Sequence, residues 1–301
     1  MTRERRHLWE ARAARVVGAC VRRLPRRAML LLGRALGRLL GDLDRRHLGI
    51  VRDNLRRAFP EWDEARVRRT ARDVYGHFGR VLLDILWMAE RPREEILALV
   101  DVESGQHLDA LRENTKGCVF VTAHIGNWEV CGLAHGWLFR PMSAVARPLD
   151  NPALDAPLVA FRRRSGNEVI YKQKALAHIL RALRENREVA FLVDQNVQEK
   201  DGIFIDFFGR KAASTTVTAA LAVKTGAVLL AGHMVMTEDG RYRLSYEPPI
   251  RWTPSGDREA DIAALTQRIA SVIEGWVRET PEQWLWMHRR WKTQPPPPEG
   301  A

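Results

Sequence analysis

From Gly117 onward, short apolar runs rich in β-branched residues alternate with segments of helical periodicity. The predicted strands cover residues 118–123, 143–146, 168–171, 189–193, 227–235 and 242–246, and the predicted helices cover residues 128–138, 174–188, 214–225 and 257–279. Strands that alternate with helices usually pair in parallel, because each helix returns the chain to the same end of the sheet. We therefore predict an α/β fold with a mostly parallel central sheet flanked by helices.

The first hundred residues have no strand pattern and predict helices only. A pair of helices is expected before residue 60, followed by a long helix over residues 63–90 in which apolar side chains recur at helical spacing. The closing run QPPPPEGA is incompatible with helix or sheet. The predicted organisation is a helical, membrane-associating segment over residues 1–100, an α/β domain over residues 101–293 and a disordered tail over residues 294–301.

One segment, AMLLLGRALGRLLGDL at residues 28–43, is a candidate for membrane contact. Charged residues interrupt it, and it lacks the roughly 20 apolar residues of a spanning helix. Its leucines gather on one side, which predicts a helix lying in the membrane interface. Packing of the same helix on its own domain fits the pattern equally well. The arginines predicted to contact anionic headgroups are Arg22, Arg23, Arg26, Arg27, Arg34 and Arg38.

The net charge of this 301-residue chain is +11, and arginine supplies most of the positive charge. Such a chain is expected to meet an anionic partner, which is nucleic acid, an anionic membrane surface, or an acidic carrier protein with a phosphorylated substrate. The chain has no phosphate-binding G-x-x-x-x-G-K-[ST] loop, no dinucleotide fingerprint on a strand and no H-E-x-x-H zinc motif. We predict that it needs no cofactor and no metal.

His124 directly follows an apolar predicted strand, and Gly126 and Asn127 predict a tight turn and a cap for the next helix. Active sites of open α/β sheets lie beyond the carboxyl ends of the strands, where this imidazole falls. Glu129, in the first turn of that helix, is placed to accept the second imidazole N–H and leave the other nitrogen as a general base. From the spacing alone, a core histidine beside a capping glutamate is the more ordinary interpretation.

Several longer blocks accompany the string HIGNWE. They are NLRRAFPE (54–61), RPLDNP (147–152), RRRSGN (162–167), VDQN (193–196), FFGRKAAST (207–215), TGA (225–227) and PEQWLWMHRRWK (281–292). Together these blocks resemble, in order, the bacterial lipid A biosynthesis acyltransferases of the glycerol-phosphate acyltransferase superfamily. The resemblance covers roughly residues 45–293. By itself, the aromatic and basic closing block would indicate core packing with an exposed basic edge that includes Arg290.

The resemblance implies that His124 and Glu129 form the catalytic pair, with Arg164 and Asp194 in the site. Asp194 ends the strand VAFLV as His124 ends its own, so both side chains are expected at one edge of the sheet, although a capping role fits Asp194 as well. Arg164 is either a clamp for phosphate or oxyanion or part of a solvated basic face, and Arg147 has the same two interpretations. Asn127 is the remaining candidate for substrate or oxyanion binding.

The family further implies acyl transfer to a glycolipid hydroxyl at the cytoplasmic face of a bacterial inner membrane. The expected donor is acyl carrier protein or acyl-CoA, and the expected acceptor is a lipid A precursor, with phosphatidylinositol mannoside or a lysophospholipid as alternatives. The non-enzymatic alternative is a basic protein that binds membranes or nucleic acid. Because the sequence has no recognised nucleic-acid fold, we expect an enzyme that binds no nucleic acid.

Overall fold

The computed structural model describes residues 2–111, 115–171 and 175–296. Its helices and strands are, in chain order, α1 (Arg3–Val21), α2 (Arg26–Leu43), α3 (Arg45–Ala58), α4 (Glu64–Met88), α5 (Arg93–Leu97), β1 (Val100–Glu103), β2 (Cys118–Thr122), α6 (Trp128–Leu138), β3 (Met142–Ala146), α7 (Pro152–Arg163), β4 (Glu168–Tyr171), α8 (Ala175–Arg184), β5 (Glu188–Leu192), β6 (Ile203–Phe207), β7 (Arg210–Ser214), α9 (Val217–Thr225), β8 (Val228–Met236), β9 (Tyr242–Tyr246) and α10 (Arg258–Glu279).

Within the described ranges, the main sheet has seven strands in the order β1-β9-β8-β2-β5-β3-β4. All neighbouring pairs are parallel except β8 and β9, which are antiparallel. The predicted α/β fold with a mostly parallel sheet is confirmed. Strands β2, β5 and β8 form its buried centre, and their apolar residues run almost without interruption, as expected of strands covered on both faces.

Side chains of β2 alternate between two hydrophobic cores, one on each face of the sheet. Val119 and Val121 pack with α3, α8, α9 and α10, whereas Cys118 and Phe120 pack with α6, α7 and part of α4. Residues of α3 and α4 enter the first core together with the sheet. The N-terminal helices therefore share their packing with the α/β part of the chain.

Helix α2 packs on α4 through a row of glycines, Gly33, Gly37 and Gly41. A Cβ atom added at Gly33 would lie 2.8 Å from the carbonyl oxygen of Gly79, so the two backbones approach as closely as glycine allows. The opposite side of α2 exposes six leucines, which are Leu31, Leu32, Leu36, Leu39, Leu40 and Leu43. The helix therefore packs on its own domain and also presents an apolar face, here called the leucine face.

Several of the arginines expected at headgroups have partners inside the protein. Arg26 forms an ion pair with buried Asp84, and Arg34 and Arg38 both pair with Asp73. Arg22 pairs with Glu90. Much of this positive charge is therefore used to fasten α2 to α4. In the part of the chain that the structure describes, no helix combines the length and the apolar character needed to span a bilayer.

Other expectations need correction. Three helices, and not two, precede residue 60, because Pro25 ends the turn after α1 and Asp44 caps α3 through the His47 N–H. Helix α8 stops at Arg184, since Glu188 begins β5. The hairpin of β6 and β7, helix α7 and strand β1 were not predicted. Part of the predicted disordered tail, residues 297–301, lies outside the described residues.

Candidate active site

The site forms where β2 and β5 end side by side. The two strands pair in parallel with Thr122 opposite Leu192, and His124 and Asp194 each lie two residues beyond that pair. Equal offsets from a shared register bring both side chains to the same height at the carboxyl edge of the sheet. The expectation that the two residues meet at one edge is confirmed.

Asp194 holds His124 by two hydrogen bonds. The imidazole Nδ1 lies 2.8 Å from Oδ1, and the backbone N–H of His124 donates to Oδ2 over 2.9 Å. The indole N–H of Trp284 donates to the same Oδ2 over 2.8 Å. A buried carboxylate that accepts three N–H groups is fixed in orientation, so it fixes the imidazole as well. Among the described residues, none hydrogen-bonds to Nε2 of His124.

The pKa values of the two groups move in opposite directions. Burial disfavours the imidazolium, but the negative charge and hydrogen bond of Asp194 outweigh burial, so the pKa of His124 lies above that of a free histidine. Burial raises the pKa of Asp194, whereas its bonds to His124 and Trp284 lower it more, and the net pKa is below the usual value. Asp194 is therefore an anion at neutral pH that stabilises a proton on His124.

The turn after His124 is fastened on several sides. Gly126 has a φ of 56°, and a Cβ atom there would collide with the carbonyl of Met234. Its N–H donates to the Gln283 carbonyl over 2.9 Å, and its own carbonyl accepts from Nε2 of buried His77 at 3.1 Å. Desolvation lowers the pKa of His77 to about 3, so this imidazole is neutral and serves as a brace. The loop that carries His124 is therefore fixed by contacts with three other parts of the chain.

Asn127 does not face the cavity beside the site. Its side chain is fully buried, accepts the Val130 N–H at 3.3 Å as the cap of α6, and donates to the hydroxyl of Tyr242 over 2.9 Å. The prediction of a cap is confirmed, and the prediction that Asn127 binds substrate or oxyanion is corrected. Both of its functional groups already have protein partners.

Glu129 is paired with an arginine and not with the imidazole. Its carboxylate accepts from Arg162 Nε at 2.7 Å and from Nη2 at 2.6 Å, and the Trp128 indole adds a third bond of 3.1 Å. The predicted hydrogen bond between His124 and Glu129 is therefore wrong, because Asp194 takes that place. Glu129 still acts on His124 through its charge, which adds to the upward shift of the imidazole pKa.

Neither arginine singled out from the sequence contacts the histidine. Arg164 donates to the carbonyls of Met88, Ala89 and Arg91 at the end of α4, where helix carbonyls lack partners. Its predicted role as a substrate clamp is corrected, and the arginine of this run that faces the site is Arg162. Arg147 is largely exposed, pairs with Asp150 at 3.3 Å and lies on the rim of the cavity.

A cavity of about 1490 Å³ begins at His124 and extends along one face of the sheet. His124, Glu129 and Arg162 lie on its polar wall. The rest is mostly apolar and is formed by side chains of β2, α1, α4, α6 and α7, including Phe120, Leu133, Leu86, Leu158 and Phe161. This volume exceeds the upper end, near 1,000 Å³, of ordinary small-molecule sites. It suits a ligand with a long hydrocarbon portion.

Three residues of the site were not identified from the sequence. Trp284 was assigned to core packing, His77 was not considered, and Arg162 was passed over for Arg164. A helical reading of residues 152–164 would have separated Arg162 from Arg164, since two residues of a helix two positions apart point to opposite sides. No local sequence signal links Trp284 or His77 to Asp194 or Gly126.

A hydrogen-bonded histidine and aspartate at the edge of a parallel sheet, beside a large apolar cavity, are typical of an α/β enzyme with room for a long apolar ligand. The family model for the bacterial lipid A biosynthesis acyltransferase matches residues 2–293. The chain belongs to this family, and acyl transfer is its class of reaction.

Bacterial acyltransferases are similar in sequence to this chain over most of their lengths. The lipid A biosynthesis palmitoleoyltransferase of Escherichia coli (strain K12) is 29% identical over 90% of this chain and 87% of its own. The lipid A biosynthesis lauroyltransferase of the same organism is 29% identical over 90% of this chain and 88% of its own. A phosphatidylinositol mannoside acyltransferase of Mycolicibacterium smegmatis (strain ATCC 700084 / mc(2)155) is 27% identical over 65% of this chain and 63% of its own.

The raised pKa of His124 is expected to depend on Asp194. In Asp194→Asn the imidazolium loses its counter-charge while the burial remains, so the pKa of His124 should fall by about one unit or more. Titration of the histidine ring signals by NMR measures this value, with His124→Ala providing the assignment. Asp150→Asn, which removes an exposed carboxylate paired with Arg147, should leave the pKa of His124 unchanged, because the charges that shift this pKa are those of Asp194, Glu129 and Arg162. An unaltered His124 pKa in Asp194→Asn would contradict the assignment.

Proposed function

We propose that this chain transfers a fatty acyl group from a thioester to a hydroxyl of a lipid A precursor or a related glycolipid, with His124 as the general base. One observation carries the proposal. The His124 ring lies on the wall of the large apolar cavity while Asp194 occupies Nδ1, so Nε2 is the nitrogen left for the substrate. A base at the polar end of a hydrocarbon-sized cavity fits a reaction at the carbonyl carbon of an acyl chain.

The bond to Asp194 determines the tautomer. A carboxylate only accepts, so Nδ1 carries the proton and Nε2 has the free lone pair. Nε2 then removes the proton of the acceptor hydroxyl as its oxygen attacks the thioester carbonyl. The tetrahedral intermediate collapses to an ester, the carbon–sulfur bond breaks, and the imidazolium returns the proton to the departing thiolate. No acyl-enzyme is needed, and Asp194 stabilises the imidazolium throughout.

Glu129 and Arg162 are proposed to support this chemistry together. Arg162 donates hydrogen bonds from Nε and Nη2 to the carboxylate of Glu129. Among the described residues, its Nη1 has no hydrogen-bond acceptor. The guanidinium lies on the cavity wall near His124, where it can donate to the developing oxyanion or to a substrate phosphate. Glu129 fixes the guanidinium and adds negative charge beside the imidazolium. The clamp expected of Arg164 is assigned to Arg162.

The acceptor is proposed from the relatives. The family model and the two Escherichia coli relatives favour a lipid A precursor. Because the mycobacterial relative is a phosphatidylinositol mannoside acyltransferase, that glycolipid is the second acceptor to assay. Both are glycolipids with a phosphate, for which the basic rim at Arg147, Arg15 and Arg22 is suited.

Removal of the proposed base, His124, should slow acyl transfer strongly. We expect His124→Ala to lower the rate of acyl transfer by about 100-fold or more, because general-base catalysis contributes about that much. Glu129→Gln should lower it too, through loss of the Arg162 bridge, and Glu129→Asp should recover part of the loss. The measurement is transfer of labelled acyl chains to a lipid A precursor in detergent, followed by mass spectrometry.

His178→Ala is the matched control, because His178 is an exposed histidine on α8, on the other side of the sheet from the cavity. It should transfer at the wild-type rate. Near-normal transfer by folded His124→Ala would remove the histidine from the mechanism. Transfer to phosphatidylinositol mannoside but not to the lipid A precursor would replace the acceptor and retain the enzyme.

The donor is proposed to be an acyl carrier protein. The net charge of +11 favours an acidic protein, whose association is accelerated by electrostatic steering. With the carrier as donor, kcat/KM is expected to fall by about tenfold or more as the ionic strength rises from 0.01 to 0.15 M, because the Debye length shrinks from about 30 to 8 Å. Acyl-CoA should be used less well and show a weaker dependence. Preference for acyl-CoA without a salt effect would overturn the carrier as donor.

The N-terminal helices are proposed to hold the protein on the cytoplasmic face of the inner membrane as a peripheral protein. The leucine face of α2 is exposed, and α1 adds Trp9 and Val16, also exposed. Arg23 and Arg27 lie exposed beside them and suit anionic headgroups. Leu8 and Leu82 are exposed and line the cavity as well, so the cavity opens next to this apolar surface.

Polar substitutions on the leucine face should weaken membrane binding. The double variant Leu39→Ser/Leu43→Ser removes two exposed leucines and leaves the row of glycines between α2 and α4 intact. Folding is therefore expected to be unchanged. We expect binding to vesicles containing anionic phospholipid to fall about tenfold or more, since each buried leucine contributes roughly 1.5–3 kcal/mol. Vesicle flotation measures this. Leu176→Ser, an equally exposed leucine on α8, should bind normally, and equal loss in both variants would refute a specific face.

A further inference from the structure

Arg290 is a buried cation whose direct partners are uncharged. Its side chain is 2% exposed. Nη1 donates to the carbonyl of Ala213 over 2.7 Å, and Nη2 donates to the hydroxyl of Ser214. Nε has no hydrogen-bond acceptor among the described residues. Burial lowers the pKa of Arg290 to about 10, and the negative charge of Asp194 partly opposes that shift. Buried guanidinium groups normally have an anionic partner, because desolvation of a lone charge is costly.

A second, small cavity is lined by both Arg290 and Asp194. Its volume is about 20 Å³, which exceeds the roughly 10–15 Å³ that one water molecule requires. Its wall is polar on several sides, with contributions from Arg290, Asp194, Ser214, Thr215, Thr218 and Thr266. A site of this size with several polar groups binds a single ordered water.

Asp194 retains one site for such a water. A carboxylate has about four lone-pair positions, and three of the four are used by Nδ1 and the backbone N–H of His124 and by the indole of Trp284. The water can therefore donate to Asp194 while it accepts from the guanidinium Nε of Arg290. Both ends of this bridge are otherwise incomplete.

We propose that one buried water joins Arg290 to Asp194, and that Arg290 is a positioning residue that keeps Asp194 ionised while His124 is neutral. The inference rests on the proposed role of His124 as general base. In the resting enzyme His124 is neutral and gives Asp194 no positive charge, so the burial that favours uptake of a proton by Asp194 is opposed by hydrogen bonds without that charge. A cation one water away offsets that tendency and leaves the imidazole free to accept the substrate proton.

The same C-terminal segment also fastens His124 directly. The Leu285 N–H donates to the carbonyl of His124 over 3.0 Å, and Ile125 forms a bridge with Trp284. Residues 281–292 therefore support the histidine through the backbone, the aspartate through Trp284, and, in this proposal, the charge of the aspartate through Arg290. The buried position of Arg290 corrects the expectation of an exposed basic edge at this residue.

The test compares the pH dependence of kcat/KM in Arg290→Met and Arg290→Lys. Without the cation, the pair of His124 and Asp194 holds its proton more tightly, so the acidic limb of the profile should move up by about one pH unit in Arg290→Met. At pH values below this limb, the rate should fall about tenfold. Arg290→Lys retains the charge and should return the limb towards the wild-type position. The exposed neighbour gives the matched control, Arg289→Met, which should have the wild-type profile.

A purely structural role would lower the melting temperature and the active fraction without moving the limb. An unshifted limb in Arg290→Met therefore overturns the inference. If this variant does not fold, Thr218→Val decides the matter, because it removes one hydroxyl from the cavity wall at nearly constant volume. A smaller upward shift is expected there, and an unchanged profile would refute the bridge.

The inference and the proposed function fail in different ways. If the wild-type protein transfers acyl groups but the acidic limb of the kcat/KM profile does not move in Arg290→Met, only the role of Arg290 is refuted. If no transfer occurs at all, the proposed function fails, and NMR titration of His124 still tests the inference. In that measurement the pKa of His124 should rise in Arg290→Met, opposite to its fall in Asp194→Asn, and no rise would overturn the proposal.

Discussion

The hydrogen bond between His124 and Asp194 depends on the register of two adjacent parallel strands. Because Thr122 and Leu192 are paired, a slip of one residue would carry His124 to the other face of the sheet and part it from the aspartate. The geometry of the candidate site is thus a property of the central sheet. The apolar strands β2, β5 and β8 and the two cores around them maintain the register, and the loops need only continue it for two residues.

Carboxylate and guanidinium groups surround this pair on both sides. Asp194 is the anion in contact with the imidazole, and the ion pair of Glu129 and Arg162 lies on the cavity side. Arg290 lies on the far side of Asp194, away from the large cavity. The imidazolium is therefore favoured by two carboxylates, and each carboxylate is balanced by a guanidinium. Such a balance keeps the site close to neutral overall in a mostly apolar region, where uncompensated charge is costly.

The fold and half of the site could be predicted from local sequence patterns. Alternating apolar runs and helical segments gave the parallel sheet, and the positions of His124 and Asp194 at two strand ends were enough to bring them together. The hairpin of β6 and β7 was missed because its turn, Phe208 and Gly209 with φ of 54° and 66°, replaces the usual Asn-Gly signal with an aromatic residue. Helix α7 was missed because Pro157 interrupts its helical pattern.

The remaining site contacts depend on long-range packing that local patterns do not encode. Glu129 was matched to His124 because the two are close in sequence, yet the imidazole meets a residue 70 positions away. Arg164 and Arg162 are equivalent in composition, and only the orientation of α7 separates a helix-capping arginine from one on the cavity wall. Arg290 looked like a surface charge because buried arginines without an acid beside them are rare.

Helix α1 forms one wall of the large cavity but contributes few residues to the cores. Its buried residues are Ala11, Gly18 and Val21, and its polar ties include the bonds that Asn151 donates to His7 and Glu10. The opposite walls belong to the sheet and to α6, whose residues belong to a buried hydrophobic core. A small displacement of this single helix would therefore widen or narrow the space for a hydrocarbon tail while the register of the strands stayed the same. The space for an apolar ligand and the geometry of His124 and Asp194 thus depend on different parts of the chain, so one can change without the other.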